Sequence, residues 1–291
     1  MLSMTGYGRG TKNIDGRDLT IELKSVNHRF LDLSFRMPRS FAYLEDALRQ
    51  LMQSRLSRGH IDVFVTYRNL REDSKAVTVD KALLNAYVAA MQEMSEHTGL
   101  ENDAKLTYYA KFPEVLRVDE AEEDREALKE LALACMNDAI DELIAMREKE
   151  GARMGEDIEM RLKNIEVFTA GVKERAPLVV EEYREKLTQR VTEIMEGKEI
   201  DLARITQEVA IFTDRVNIDE EIARMHSHLK GMRDAMASDQ SIGRRLDFIV
   251  QEMNREANTM GSKASDITLV NHVVNLKSEI EKIREQVQNI E

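Results

Sequence analysis

GRRLDFIVQEMNREANTMGSK (243–263) reads as one amphipathic helix, and its residues set the terms for the rest of the chain. At 100° per residue, Leu246, Ile249, Val250, Met253, Ala257 and Met260 fall on a single apolar stripe. Glu252 and Glu256, one turn apart, flank the stripe on one side with Arg245 close by. Asp247, Gln251, Asn254 and Asn258 gather towards the other side, and Arg244 and Arg255 point away from the stripe. Asparagine disfavours helix, so so mixed a polar surface suits a helix that binds something polar, such as a phosphate backbone or a metal ion. A salt-bridged, solvated face is the alternative.

The helical period extends in both directions. Downstream, Leu269, Val273, Leu276, Ile280, Ile283, Val287 and Ile290 alternate spacings of four and three, a seam that demands a partner helix. The partner can belong to the same chain or to another subunit, and an oligomer is expected. Upstream, the period of 3.6 begins near residue 80, with helices expected at 80–97, 122–172, 178–196, 201–212, 218–236, 243–260 and 266–290. PEVLRVDE (113–120) reads as an irregular or extended connection, Pro177 as a hairpin corner, and EGK (196–198) as a stop.

Residues 1–72 follow a different period. Leu19, Ile21 and Leu23, then Leu31, Leu33, Phe35 and Met37, then Ile61, Val63, Val65 and Tyr67 alternate with polar residues as half-buried strands do. Between the second and third strands, Phe41, Leu44, Leu48, Leu51 and Met52 recur at helical spacing behind Pro38. The fold class is therefore α+β: an N-terminal antiparallel sheet with a helix (1–120), a long helical hairpin (121–200), and a helical C-terminal domain (201–291) whose last helix is coiled-coil-like.

At 291 residues the chain can bury a substantial core, and no apolar run approaches the ~18 residues of a membrane span. The opening MLSMTGYGRG lacks a signal layout, and the single Cys135 can form no intrachain disulfide; both lead us to expect a cytoplasmic protein. Cys135 shares a helical face with Leu128, Leu131 and Leu143, which makes it a core residue rather than a nucleophile. The net charge of −12 argues against nonspecific nucleic-acid binding. It is unevenly spread, however: residues 1–72 carry 12 Lys/Arg against 8 Asp/Glu, so a local basic face can still meet a polyanion.

Three motifs carry chemistry. MTGYGRG (4–10) has neither the lysine nor the preceding strand of a phosphate loop, so Gly6, Gly8 and Gly10 are read as a close backbone approach or a bulge; Arg9 could still reach a phosphate. In ELKSVNHRFLDL (22–33) the alternation breaks where Lys24, Asn27, His28 and Arg29 cluster, phosphate binders beside a proton-transfer candidate, and RGHIDV (58–63) adds Arg58 and His60. In QEVAIFTDRVNIDEEIARMHSH (207–228), Glu221, Arg224 and His228 share one helix flank. His226 and His228 lie about 200° apart around the helix and cannot hold one ion, while Glu221 and His228 stand roughly 10 Å apart along it. Carboxylates from a neighbouring helix, such as Glu252 and Glu256, would have to complete a site there.

Taken in order, MTGYGRG, ELKSVNHRFLDL, RGHIDV, EKEGARM (148–154), QEVAIFTDR, GRRLDF…GSK and EIEKIREQVQNIE (279–291) resemble the YicC family of bacterial proteins across essentially the whole chain. The resemblance implies a metal-dependent endoribonuclease acting on single-stranded RNA, assembled as a homo-oligomer, a hexamer, and open to association with other RNA-decay enzymes. Where the family reads Asp-Arg-x-Asp, this chain has Asp214, Arg215, Val216 and Asn217, which weakens Asn217 as a ligand. The residue roles are our own reading. Glu221, His228, Glu252 and Glu256 are the candidate ligands for Mg²⁺ or Mn²⁺, with Glu252 and Glu256 also catalytic candidates. His28 is the base candidate for a transesterification route. Arg9, Lys24, Asn27, Arg29, Arg58, Arg244, Arg245, Arg255 and Lys263 form the candidate RNA path. A noncatalytic adaptor that delivers RNA to another nuclease is the rival reading.

Overall fold

The computed structural model describes residues 1–71, 75–120, 123–195, 201–238 and 242–291. Four strands form the N-terminal sheet: β1 (Gly6–Ile14), β2 (Arg17–Val26), β3 (Leu31–Arg36) and β4 (Gly59–Asn69), in the order β1-β2-β4-β3. Leu19, Ile21 and Leu23 of β2 register against Tyr67, Val65 and Val63 of β4, so one face of the sheet is continuously apolar. The expected strands and intervening helix are present. One pairing differs: β3 runs parallel to β4, so the sheet is mixed rather than wholly antiparallel. A 3₁₀ turn (Arg39–Leu44) and α1 (Glu45–Arg55) carry the chain between them, and such a helical crossover returns it in the same direction. Alternation records which face a residue occupies, not the direction of its strand.

Beyond the sheet, β5 (Lys75–Val79) pairs antiparallel with β6 (Leu116–Glu120), enclosing α2 (Lys81–Thr98) and the short α3 (Leu106–Tyr109). This module is lightly anchored, since α2 buries none of its residues.

The spine of the molecule is α4 (Arg125–Met195), 71 residues long. The hairpin expected with a corner at Pro177 is therefore absent, and the helix continues through the proline. Pro177 forfeits one backbone hydrogen bond. The buried stripe of Ile158, Leu162, Ile165, Val172 and Val179 carries on across it, and packing outweighs the local penalty. The proposed stop at EGK (196–198) lies outside the described residues.

The first half of α4 covers the sheet. Leu128, Leu131, Cys135, Met136, Ile140 and Leu143 pack with Leu19, Ile21, Leu23, Ile61 and Val63 of the sheet and Leu48 and Met52 of α1. Burial pushes the Cys135 thiol up to about 11, in keeping with a core residue. β1 lies so close to α4 that a Cβ on Gly8 would collide with the Ala139 carbonyl, and one on Gly10 with that of Cys135. The glycines thus serve a close approach, as the motif suggested.

The second half of α4 carries α5 (Leu202–Val216), α6 (Asp219–Met236), α7 (Gly243–Lys263) and α8 (Ile267–Val287) around a second core. The seam on α8 finds its partners inside the chain: Leu269, Val273, Leu276, Ile280, Ile283 and Val287 are buried with residues of α4 and α7. Arg175 of α4 holds Asp266 through two contacts of 3.0 Å, and Asp266 also caps α8 by accepting from the Thr268 and Leu269 amides. At the waist of α4 the two ends of the chain meet. Ser3 bridges Ile290, and the Arg147 guanidinium, 2% exposed, donates to the Ser3 carbonyl and to the Glu291 carboxylate. No helix of the described residues is long and apolar enough to cross a membrane.

Candidate metal centre and RNA-facing surface

α6 opens with Asp219, Glu220 and Glu221, acids that suit the positive end of the helix dipole, and the Asn217 side chain accepts the Asp219 amide at 2.9 Å. Its buried Ile222, Met225, Leu229 and Met232 pack on Leu246, Val250, Met253, Ala257 and Met260 of α7. The two helices run antiparallel, because Arg224 meets Glu256 near one end and Glu221 meets Lys263 beyond it. On one flank of this contact His228, Glu252 and Glu256 converge, and one ligand atom from each lies within 4.8 Å of the others. Glu256 is 3% exposed, and the Arg224 guanidinium stands 3.5 Å from its carboxylate.

The donor set fits a divalent cation. Metal bonds to carboxylate or imidazole are about 2.0–2.2 Å long, so donors around one ion stand up to ~4.3 Å apart. A spread of 4.8 Å needs only small side-chain adjustment. The two carboxylates suit Mn²⁺ or Mg²⁺, and the imidazole favours Mn²⁺ of the two; water or a substrate oxygen would complete the coordination.

Glu221 stands apart from this group. Lys263 donates to one of its oxygens at 2.7 Å, and the other is buried with no hydrogen-bond partner among the described residues. Seven residues separate it from His228, and the three-donor group takes both its carboxylates from α7, so Glu221, expected among the ligands, is not part of it.

The N-terminal candidates lie elsewhere. The Asn27 amide donates to the Gln288 carbonyl at 2.7 Å, Arg58 donates to the His28 carbonyl at 2.9 Å, and the His28 ring contacts the Phe30 carbonyl at 3.0 Å. His60 pairs with Asp32 at 2.8 Å. Lys24 lies over the Phe64 ring, Arg29 over Phe30, and Arg9 3.9 Å from Glu22. On α7, Arg244 and Arg245 are exposed and make no ion pair among the described residues, while Arg255 stands 4.0 Å from Glu252. Asn254, Arg255, Asn258 and Thr259 line a groove of about 420 Å³ with Arg284 of α8. Sequence reasoning missed Arg284, whose place on the last helix carries no local signal, and the bond from His60 to Asp32, which depends on the parallel β3–β4 register.

Residues 1–156 match the family described as Endoribonuclease YicC-like, N-terminal region, and residues 172–291 match Endoribonuclease YicC-like, C-terminal. The chain is 39% identical over 291 residues to a protein of Clostridioides difficile named probable endoribonuclease YicC, covering 100% of this chain and 99% of that one. It is 33% identical over 289 residues to the protein of the same name from Haemophilus influenzae, with 99% of each covered.

Proposed function

This chain belongs to the YicC-like endoribonuclease family, and from that premise we propose that it cleaves single-stranded RNA at the α6–α7 flank with a divalent cation. The observation that carries the reading is the convergence of His228, Glu252 and Glu256. These three would hold Mg²⁺ or Mn²⁺. A cation bound there would supply Lewis acidity at a phosphoryl oxygen and a water far more acidic than bulk. Arg224 keeps the Glu256 carboxylate in place and, being half-exposed, offers a second positive charge to an incoming phosphate. Arg244, Arg245 and Arg255 would draw the RNA along α7, with Lys24, Arg29 and Arg58 extending the path over the sheet.

The protein would work as a homo-oligomer, a hexamer in keeping with the family resemblance. Support for assembly moves from the α8 seam, which is satisfied within the chain, to the 75–118 module. There Val77, Val118, Met94, Leu106 and Tyr108 are all exposed, side chains that a second protomer would cover. The single, buried cysteine suits a cytoplasmic site of action.

Purified protein should cleave an unstructured RNA with Mg²⁺ or Mn²⁺, stop in EDTA, and lose activity as E252A/E256A while keeping its helical circular dichroism. Binding without cleavage in either metal would favour the adaptor reading. Cleavage that survives EDTA, leaves 2′,3′-cyclic ends and fails on a 2′-deoxy substitution at the cleaved position would favour His28-based transesterification.

A further inference from the structure

Phe248 is the anomaly of α7. It is 61% exposed on a helix whose other large apolar side chains are buried, and no ring or cation lies over it among the described residues. Its neighbours along the surface are Arg244 one turn before and Glu252 one turn after, about 6 Å away along the axis in each direction. Arg245, also exposed and without an ion pair among the described residues, lies beside it. The first turn of α7 abuts residue 290, where a Cβ on Gly243 would stand 2.7 Å from the Ile290 carbonyl. Two residues earlier, Gln288 receives the Asn27 amide. A polar surface therefore leads from the basic N-terminal cluster, past Arg244 and Arg245, over Phe248 and on to the His228–Glu252–Glu256 group.

We propose that Phe248, with Arg244 and Arg245, forms a nucleotide subsite beside the scissile phosphate, in which an RNA base stacks on the exposed ring and the adjoining phosphates meet the two guanidiniums. This rests on the reading of the α6–α7 flank as the cleavage site and deepens it. The chemistry favours single-stranded RNA. A bare aromatic ring accepts any unpaired base, and the arginines next to it supply the charge that a phosphate needs. A protein partner would more naturally cover an apolar patch than one phenylalanine set beside two arginines.

The test uses the full chain and a short fluorescent oligoadenylate, with binding followed by anisotropy in EDTA and cleavage followed separately with Mn²⁺. F248A should bind about 5- to 100-fold more weakly, while F248W should stay within about threefold of the native chain, as expected where stacking alone is needed. Because the chain contains no tryptophan, the indole emission of F248W reports directly on that position and should be quenched by the RNA. R244Q/R245Q should lower the salt slope by about 0.7 per lost phosphate contact. Wild-type affinity in F248A, with cleavage by the native chain intact, overturns the subsite and leaves the functional reading standing. A native chain that neither binds nor cleaves overturns both. Loss of subunit mass by F248A in light scattering makes the ring a protein contact and also overturns the subsite.

Discussion

The two halves of α4 each carry a core, and each has a polar cluster within reach, but the clusters are built differently. Over the sheet, His28, Asn27 and Arg58 spend their hydrogen bonds on backbone carbonyls at 2.7–3.0 Å. These bonds fix a strand junction and pin it to the end of α8. On the α6–α7 flank, one donor atom each of His228, Glu252 and Glu256 lies within 4.8 Å of the others, and the two carboxylates have arginine side chains, not backbone, beside them. Polar groups committed to backbone do the work of folding. Polar groups that converge on each other, as in the cation site proposed above, keep donor atoms that backbone bonds do not occupy.

Replacing a histidine on each side is the sharpest way to break this contrast. H228A should reduce metal-supported RNA cleavage by about 100-fold, the scale expected when a metal's coordination is damaged. H28A should cost less than about tenfold. Equal losses in a direct activity assay would erase the distinction between the clusters.

Glycine substitutions contrast the two halves in stability. G8A forces a methyl into the α4 backbone and should destabilise by about 3 kcal/mol or more in denaturant unfolding. G231A, in the interior of α6, meets only the end of the Ile249 side chain at 3.9 Å and should be neutral or stabilising by up to about 1 kcal/mol. A mild G8A would mean that β1 does not press on α4 as described.

A smaller effect separates an enclosed ion pair from an open one. The Arg175 guanidinium, chiefly, and the α8 amides hold the Asp266 carboxyl at about 2, below its ordinary 3.8. Its folded pKa is depressed, so its contribution is complete above about pH 4 and disappears as pH falls towards 2. The stability gap between the native chain and D266N should therefore be full near neutrality and close over that acid window. D141N, which breaks the exposed pair with Arg55, should stay within about 0.5 kcal/mol of the native chain near neutrality. A D266N gap that persists unchanged at pH 2 would assign the effect to something other than the carboxylate's charge.

Much of this architecture was legible because periodicity survives packing. The α7 stripe from Leu246 to Met260 is buried as read, and the alternation of Leu19, Ile21 and Leu23 gave the sheet's inner face. Pro177 misled because a local breaker was weighed without the stripe that continues past it. The candidate ligand group was visible only as ingredients: Glu252 and Glu256 announce themselves one turn apart, but His228 joins them through the antiparallel register of α6 on α7, which a single helix does not encode. Phe248 left its trace as an apolar residue outside the stripe.

The Arg147 clasp joins the first residues made to the last. In the complete chain Arg147 is buried, partly by the last residues themselves, and its carboxylate partner Glu291 is 144 residues away in sequence. Leaving a buried charge without its partner costs about 3–5 kcal/mol. A nascent chain that lacks Glu291 cannot make this pair, and that cost favours leaving the Arg147 guanidinium in water until the last residues arrive. The junction at Arg147 thus closes only after residues translated long after it, although the sheet and the first half of α4 share a core that needs none of them.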